Sequence, residues 1–383
     1  MTLLPLLALA LASFTPVVQT NAAGTPVPFE ALARDARSAY EAGRAAEAAD
    51  LYGRALALRA DWDEGWWSLG SLEYERARGS EALRAFSRFV ELKPESGPGW
   101  TLRGLSTFLA GDHAAAITDL EKGLALGVGG NAELLRAGRH QLALAYVKTG
   151  QFERAVAPFT VLARTTPEAP WLLDAVGLML LRAPSLPSEI PEARRELVRS
   201  AGRAGYLHLA LRAEDAQKAY AALVESHPNE PWVHYAYGVF LLRSDSDRAL
   251  AELRRELEVK PDSVMAGLEI AFELITRGEY PQARPYAQRA AELAPGLFAA
   301  RNAYGRVLVE LGELDLGIRE LEEAVRLAPE SPEVHFALAR AYARANREAD
   351  AARERAIFAA LDRERREKRA AQGAAESAPR ERP

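Results

Sequence analysis

From about residue 29 to residue 365 the apolar residues fall in paired helical stripes, stepping by three and four, and the pairs repeat. The stretch Trp66 to Pro94, WWSLGSLEYERARGSEALRAFSRFVELKP, shows the unit. It has Trp-x-x-Leu-Gly at the start, Ala82 twelve residues beyond Gly70, Phe86 four further on, and Pro94 as its terminator. The small residue of each first helix marks the register: Ala36, Gly70, Gly104, Ala143, Gly177, Gly238, Ala271, Gly305 and Ala339, separated by 34, 34, 39, 34, 61, 33, 34 and 34 residues. Second-helix alanines at 48, 82, 116, 155, 249, 283 and 351 keep the same phase, eleven or twelve residues later. Each unit therefore reads as two antiparallel helices, and Pro94, Pro167, Pro228, Pro261, Pro295 and Pro329 close six of them, since a proline cannot continue a helix.

Small residues at the marker position let the paired helices approach closely, and the aromatic of the second helix is expected to fill space between consecutive hairpins. Gly43, Gly111, Gly150, Gly278 and Gly312, each seven residues past its marker, supply the turn through a left-handed backbone. Two departures stand out. The 39-residue step contains Gly127-Val128-Gly129-Gly130, read as a flexible connector because no Gly-Lys-Ser follows it and no strand pattern precedes it. The 61-residue step holds Pro184, Pro187 and Pro191 ahead of a charged helical stretch, and reads as an irregular unit of at least three helices.

The pattern resembles the tetratricopeptide repeat family, whose 34-residue helix-turn-helix carries W-x2-L-G-x2-Y, A-x3-F and P. Trp66, Leu69, Gly70, Ala82, Phe86 and Pro94 match, with Glu73 in place of the tyrosine and Tyr74 one place on. Leu142, Ala143, Tyr146, Gly150, Ala155, Phe159 and Pro167 match in a second unit that lacks the tryptophan. The resemblance implies an all-α solenoid of stacked hairpins winding into a right-handed superhelix, with a concave face that holds peptides. Four repeats are expected over residues 29–169, the irregular unit over 170–229, and four more repeats with a charged capping helix over 230–365.

Composition narrows the function classes. Charged residues make up 26% of the 383, yet the net charge is only -5, so no basic field for nucleic acid is expected. With no cysteine, disulfides, thiolate metal sites and cysteine nucleophiles drop out. Residues 1–23 read as a signal peptide: Leu3 to Phe14 is apolar but too short to span a bilayer, and Ala22 and Ala23 offer a cleavage site. An exported, periplasmic or secreted protein without an integral membrane segment in the mature chain is the expectation. The composition of residues 372–383 reads as a disordered tail.

No catalytic constellation is legible. The six histidines are scattered over different units, without His-Glu-x-x-His or a Gly-x-Ser-x-Gly elbow, and no metal or cofactor is called for. Function is sought instead on the first-helix positions three before, one after and four after each marker, which share one face. Trp67 and Tyr74 begin that face. Leu105, Phe108, Leu144, Leu178, Leu181, Val239, Leu242 and Phe272 make its centre apolar, and Asn302, Arg306, Arg340 and Arg344 make its end polar. Arginine forks suit carboxylates, so the polar end could hold an acidic side chain or a peptide C-terminus. The resembled family includes carboxylate clamps of this kind, although their Lys and Asn pattern is missing from the first unit. The expected protein is a scaffold for a protein or peptide. The alternatives are a structural component of an envelope assembly and a glycan-related binding or delivery factor that would use Trp67 and Tyr74.

Overall fold

The structure, a computed structural model, describes residues 28–377, so the expected signal peptide and residues 378–383 lie outside the described residues. Among the described residues there are nineteen α-helices and no strand. The chain divides into two compact units, at Ile190 and Pro191.

The first unit holds four hairpins. These are α1 (Phe29–Glu41) with α2 (Ala45–Leu58), α3 (Asp63–Glu75) with α4 (Gly79–Leu92), α5 (Gly97–Leu109) with α6 (His113–Leu126), and α7 (Ala132–Lys148) with α8 (Phe152–Thr165). A lone helix α9 (Pro170–Leu180) follows, then a 3-10 turn, Pro187–Glu189. The second unit opens on another 3-10 turn, Glu192–Arg194, and holds five hairpins. They are α10 (Arg195–Leu209) with α11 (Ala213–Ser226), α12 (Val233–Leu241) with α13 (Ser246–Val259), α14 (Val264–Thr276) with α15 (Tyr280–Leu293), α16 (Phe298–Glu310) with α17 (Leu314–Leu327), and α18 (Pro332–Arg344) with α19 (Glu348–Ser377). Helix α19 is 30 residues long and so runs into the stretch read from sequence as tail.

The marker residues work within a hairpin rather than between hairpins. A Cβ added at Gly70 would lie 2.9 Å from the Phe86 ring, and one at Gly104, Gly238 or Gly305 would lie 2.7 Å from Leu120, Leu253 or Leu321 respectively. The large second-helix residue thus presses into the gap left by the small residue of its own first helix, where Phe86, Leu120, Leu253 and Leu321 are all completely buried. Each such burial contributes about 1.5–3 kcal/mol. The five expected turn glycines all have positive φ. Ala77, Arg182, Leu211 and Asn346 take the same conformation after α3, α9, α10 and α18 without the benefit of glycine.

The irregular stretch hides a regular repeat. Ala204 of α10 lies 34 residues before Gly238, and Ala216, Tyr220 and Pro228 follow it at repeat spacing. Ala204 and Ala216 are fully buried, as those positions are elsewhere. The irregularity is confined to α9, which has no second helix of its own. The glycine connector also differs from the sequence reading. Gly127, Gly129 and Gly130 have φ of 85°, 62° and 79°, but Val128 between them is buried and anchors the loop.

A recurrent hydrogen bond fixes the start of several first helices. The side chain four residues before the marker donates to the carbonyl six residues earlier: Trp66 Nε1 to Ala60 (2.8 Å), Trp100 Nε1 to Pro94 (2.7 Å), His234 Nε2 to Pro228 (2.9 Å), Arg301 Nε to Pro295 (3.1 Å) and His335 Nε2 to Pro329 (2.9 Å).

Candidate functional site

The apolar centre expected on the first-helix face is largely consumed by packing. Leu105, Leu144, Leu178 and Leu181 are only 2–6% exposed, which leaves their side chains little surface to give a partner. Phe108, Val239, Leu242 and Phe272 are half-buried. Trp67 is also half-buried, its ring set edge-on to Phe86 and Phe89 at 6.0 and 5.1 Å. Tyr74 is half-buried as well, and burial pushes its phenol pKa up. The reason is geometric: neighbouring first helices touch along this face, and leucine side chains bridge the gap between them.

The polar end behaves differently. In the second unit a cleft of about 550 Å³ is lined by Tyr280, Arg306, Glu310, Phe336, Arg340 and Phe358, among others. Arg340 and Arg344 both donate to the Glu310 carboxylate, at 3.1 and 2.6 Å, and Arg344 also donates to the Val309 carbonyl at 3.1 Å. Their forks are therefore engaged. The Phe336 and Phe358 rings meet at 5.3 Å, tilted by 49°, and the Arg340 guanidinium lies 6.0 Å from the Phe336 ring centre. Glu333, also on the wall, is paired with Arg365.

Arg306 has no such arrangement. It is half-buried in the cleft, and its guanidinium forms no ion pair or hydrogen bond among the described residues. Burial and the positive charge of Arg340 hold its pKa below the ordinary arginine value, against weaker opposing effects of Tyr280 and Glu310. An arginine in that position stays protonated, and an anion entering the cleft would relieve its desolvation. One helical turn earlier on α16, Asn302 is 6% exposed and its Oδ1 is buried without a hydrogen-bond partner. The structure thus brings Arg306, Arg340 and Arg344 to one place, with Asn302 beside Arg306. It also adds Glu310, Tyr280, Phe336 and Phe358, which the sequence reading missed. Phe336 stands three before Ala339, the position that Trp67 and Asn302 occupy in their units, so the register contained its signal.

A second concavity, of about 590 Å³, lies in the first unit between Glu133, Arg136, Ala137, His140, Thr166 and Trp171. His140 meets Trp171 edge-on at 4.5 Å, its Nε2 is buried without a partner, and burial lowers its pKa to about 4. His234 and His335 are structural instead, each held between a proline carbonyl and a carboxylate, Glu252 at 2.7 Å and Glu354 at 2.6 Å. Among the described residues no cluster of three or more His, Cys, Asp or Glu could hold a metal ion, and no helix is long and apolar enough to cross a membrane.

Sequence profiles of the tetratricopeptide repeat match residues 34–96, 68–127 and 298–341. The chain is a tetratricopeptide repeat protein. The match at 298–341 covers α16 and most of α18, the helices that carry Asn302, Arg306 and Arg340, so the cleft is built on tetratricopeptide helices. A search of curated proteins returned no match. Among solved structures, the chain is similar to MamA residues 41 to the end from Desulfovibrio magneticus RS-1, at 22% identity, covering 44% of this chain and 96% of that one with a TM-score of 0.41. It is similar to YrrB, described as a tetratricopeptide protein with an unusual peptide-binding site, at 18% identity, covering 44% and 90% with a TM-score of 0.39. Yeast Tom70 matches at 18% identity over 88% of this chain and 69% of its own, with a TM-score of 0.35.

Proposed function

We propose that this interaction scaffold takes a carboxylate-bearing peptide segment of a partner protein in the cleft of its second unit. The observation that supports the reading is the half-buried guanidinium of Arg306, which lacks a counter-ion among the described residues although the arginines around it are paired. A carboxylate from an acidic side chain or a chain terminus would restore the missing charge-assisted hydrogen bonds. The Phe336 and Phe358 rings offer apolar contact on the cleft wall. The binding is passive: a preformed surface supplies one charge anchor and a ring wall, with no bond made or broken.

The test is fluorescence anisotropy with a fluorescein-labelled, glutamate-rich peptide. Wild-type protein should bind it with an affinity that falls as salt rises. Arg306→Met, which keeps the aliphatic bulk, should weaken binding by about tenfold or more, since a hydrogen bond to a charged group contributes about 1.5–3 kcal/mol. Equal affinities for wild type and Arg306→Met would sink the reading.

A further inference from the structure

An aromatic platform was expected at Trp67 and Tyr74, and both of these are half-buried. Among the described residues, which include all six tryptophans, only Trp171 is exposed, at 36%. It stands at the start of α9 and lines the first-unit concavity of about 590 Å³. That volume lies within the range of about 300–1,000 Å³ over which proteins take small ligands.

Helix α7 supplies the polar part of the lining. In α1, α3, α5, α14, α16 and α18 the first helix starts seven residues before its marker, whereas α7 starts at Ala132, eleven before Ala143. The longer step around the glycine connector thus adds a turn to α7. Glu133, Arg136 and His140 fall on one stripe of the extended helix, stepping by three and four, and all three line the concavity. Glu133 and Arg136 are exposed and form no ion pair or hydrogen bond among the described residues. His140 lies against Trp171 with its Nε2 buried and without a partner. Burial holds its pKa at about 4, so at pH 7 the imidazole is neutral and offers one N–H donor and one acceptor nitrogen.

We infer that this concavity is a binding site for a neutral saccharide. Its lining combines an acceptor in Glu133, a donor in Arg136 and a neutral imidazole in His140. Sugar hydroxyls, which both donate and accept, satisfy all three at once. One carboxylate and one guanidinium are the charged groups of the lining, so it favours neither an anion nor a cation. The exposed indole gives the apolar C–H face of a sugar ring a surface to pack on. An apolar peptide side chain would cover the indole as well, yet it would leave the buried Nε2 without a partner. The site belongs to the first unit and does not depend on the Arg306 cleft.

The experiment is saturation-transfer difference NMR of the full chain with two neutral disaccharides, cellobiose and N,N′-diacetylchitobiose. Wild type should give saturable transfer to the ring protons of at least one of them. Trp171→Ala removes the platform and His140→Phe keeps a ring but removes the nitrogen, so each should weaken that binding by about tenfold. Arg136→Met changes only an exposed side chain, so its expected weakening, with an unchanged helical circular dichroism spectrum, is separate from any folding defect. Absence of saturable transfer from both disaccharides would overturn the site, as would affinities equal to wild type in the folded variants. Tighter binding of N-acetyltyrosinamide than of either disaccharide would overturn the saccharide assignment in favour of a peptide side chain.

Discussion

Arg306 differs from the other cleft arginines by what surrounds it, not by its chemistry. Arg340 and Arg344 share Glu310, and such exposed pairs contribute little to stability. The spacing rule found Arg306, Arg340 and Arg344 because they are first-helix residues in register. It could not find that Glu310 pairs with two of the three, since pairing depends on side-chain reach across neighbouring hairpins. His140 shows the converse. It stands three before Ala143 and so was within the rule, but six scattered histidines carry no metal or catalytic spacing, and only burial reveals it. With its pKa lowered from 6.5 to about 4, the folded protein binds fewer protons at His140 than the unfolded chain does between those values. Stability is therefore intact above pH 6.5 and is lost as pH falls toward 4, by up to on the order of 3 kcal/mol. His140→Phe keeps a ring against Trp171 and removes the titration. Urea denaturation at pH 7 and pH 4.5 should show a smaller acid loss for this variant, and identical losses would contradict the assignment. His234 has the opposite sign. Burial lowers its pKa, but the Glu252 contact and the Pro228 carbonyl together outweigh burial and raise it, so its contribution is lost as pH rises through the folded value.

Glycine is most tightly constrained where α5 begins. A Cβ on Gly97 would sit 1.8 Å from the Gly127 carbonyl oxygen and 2.8 Å from its carbon, both backbone atoms of the connector after α6. No rotamer change can relieve that contact, so Gly97→Ala should destabilise the first unit by about 3 kcal/mol or more. Gly53 in α2, with nothing within 4 Å of an added Cβ, is the control: Gly53→Ala should stabilise by about 0.5–1 kcal/mol through helix propensity. Chemical denaturation of both variants checks the pair, and a Gly97→Ala protein as stable as wild type would show that the connector is not packed as described. Paired helices, turn glycines and terminating prolines were all legible in the sequence because each depends on local stereochemistry. The hairpin α10–α11 was not. Its turn residue is Leu211, 71% exposed and at φ 61° where glycine is expected, and the marker Ala204 lies among other small residues in SAGRAGYLHLA, so nothing singles it out.

At the scale of the chain, stacked repeats draw their stability from each hairpin and its immediate neighbours. Both units have their own buried core, and the division at Ile190 and Pro191 follows the one first helix that lacks a second. Residues 191–383 should accordingly fold when expressed alone, with a helical circular dichroism spectrum and the same affinity for the glutamate-rich peptide as the full chain. A fragment that folds but does not bind would place the site elsewhere. The turns also set a timetable for motion. Ala77, Arg182, Leu211 and Asn346 hold a left-handed backbone with a side chain attached, at a cost of about 1 kcal/mol each relative to glycine. A difference of that size makes local opening about five times more frequent. Ala77 joins α3 to α4, Arg182 and Leu211 flank the interruption and Asn346 joins the last two helices, so backbone amides should exchange with solvent soonest at those four places, which hydrogen exchange would check. The glycine turns of the hairpins between them keep time more slowly.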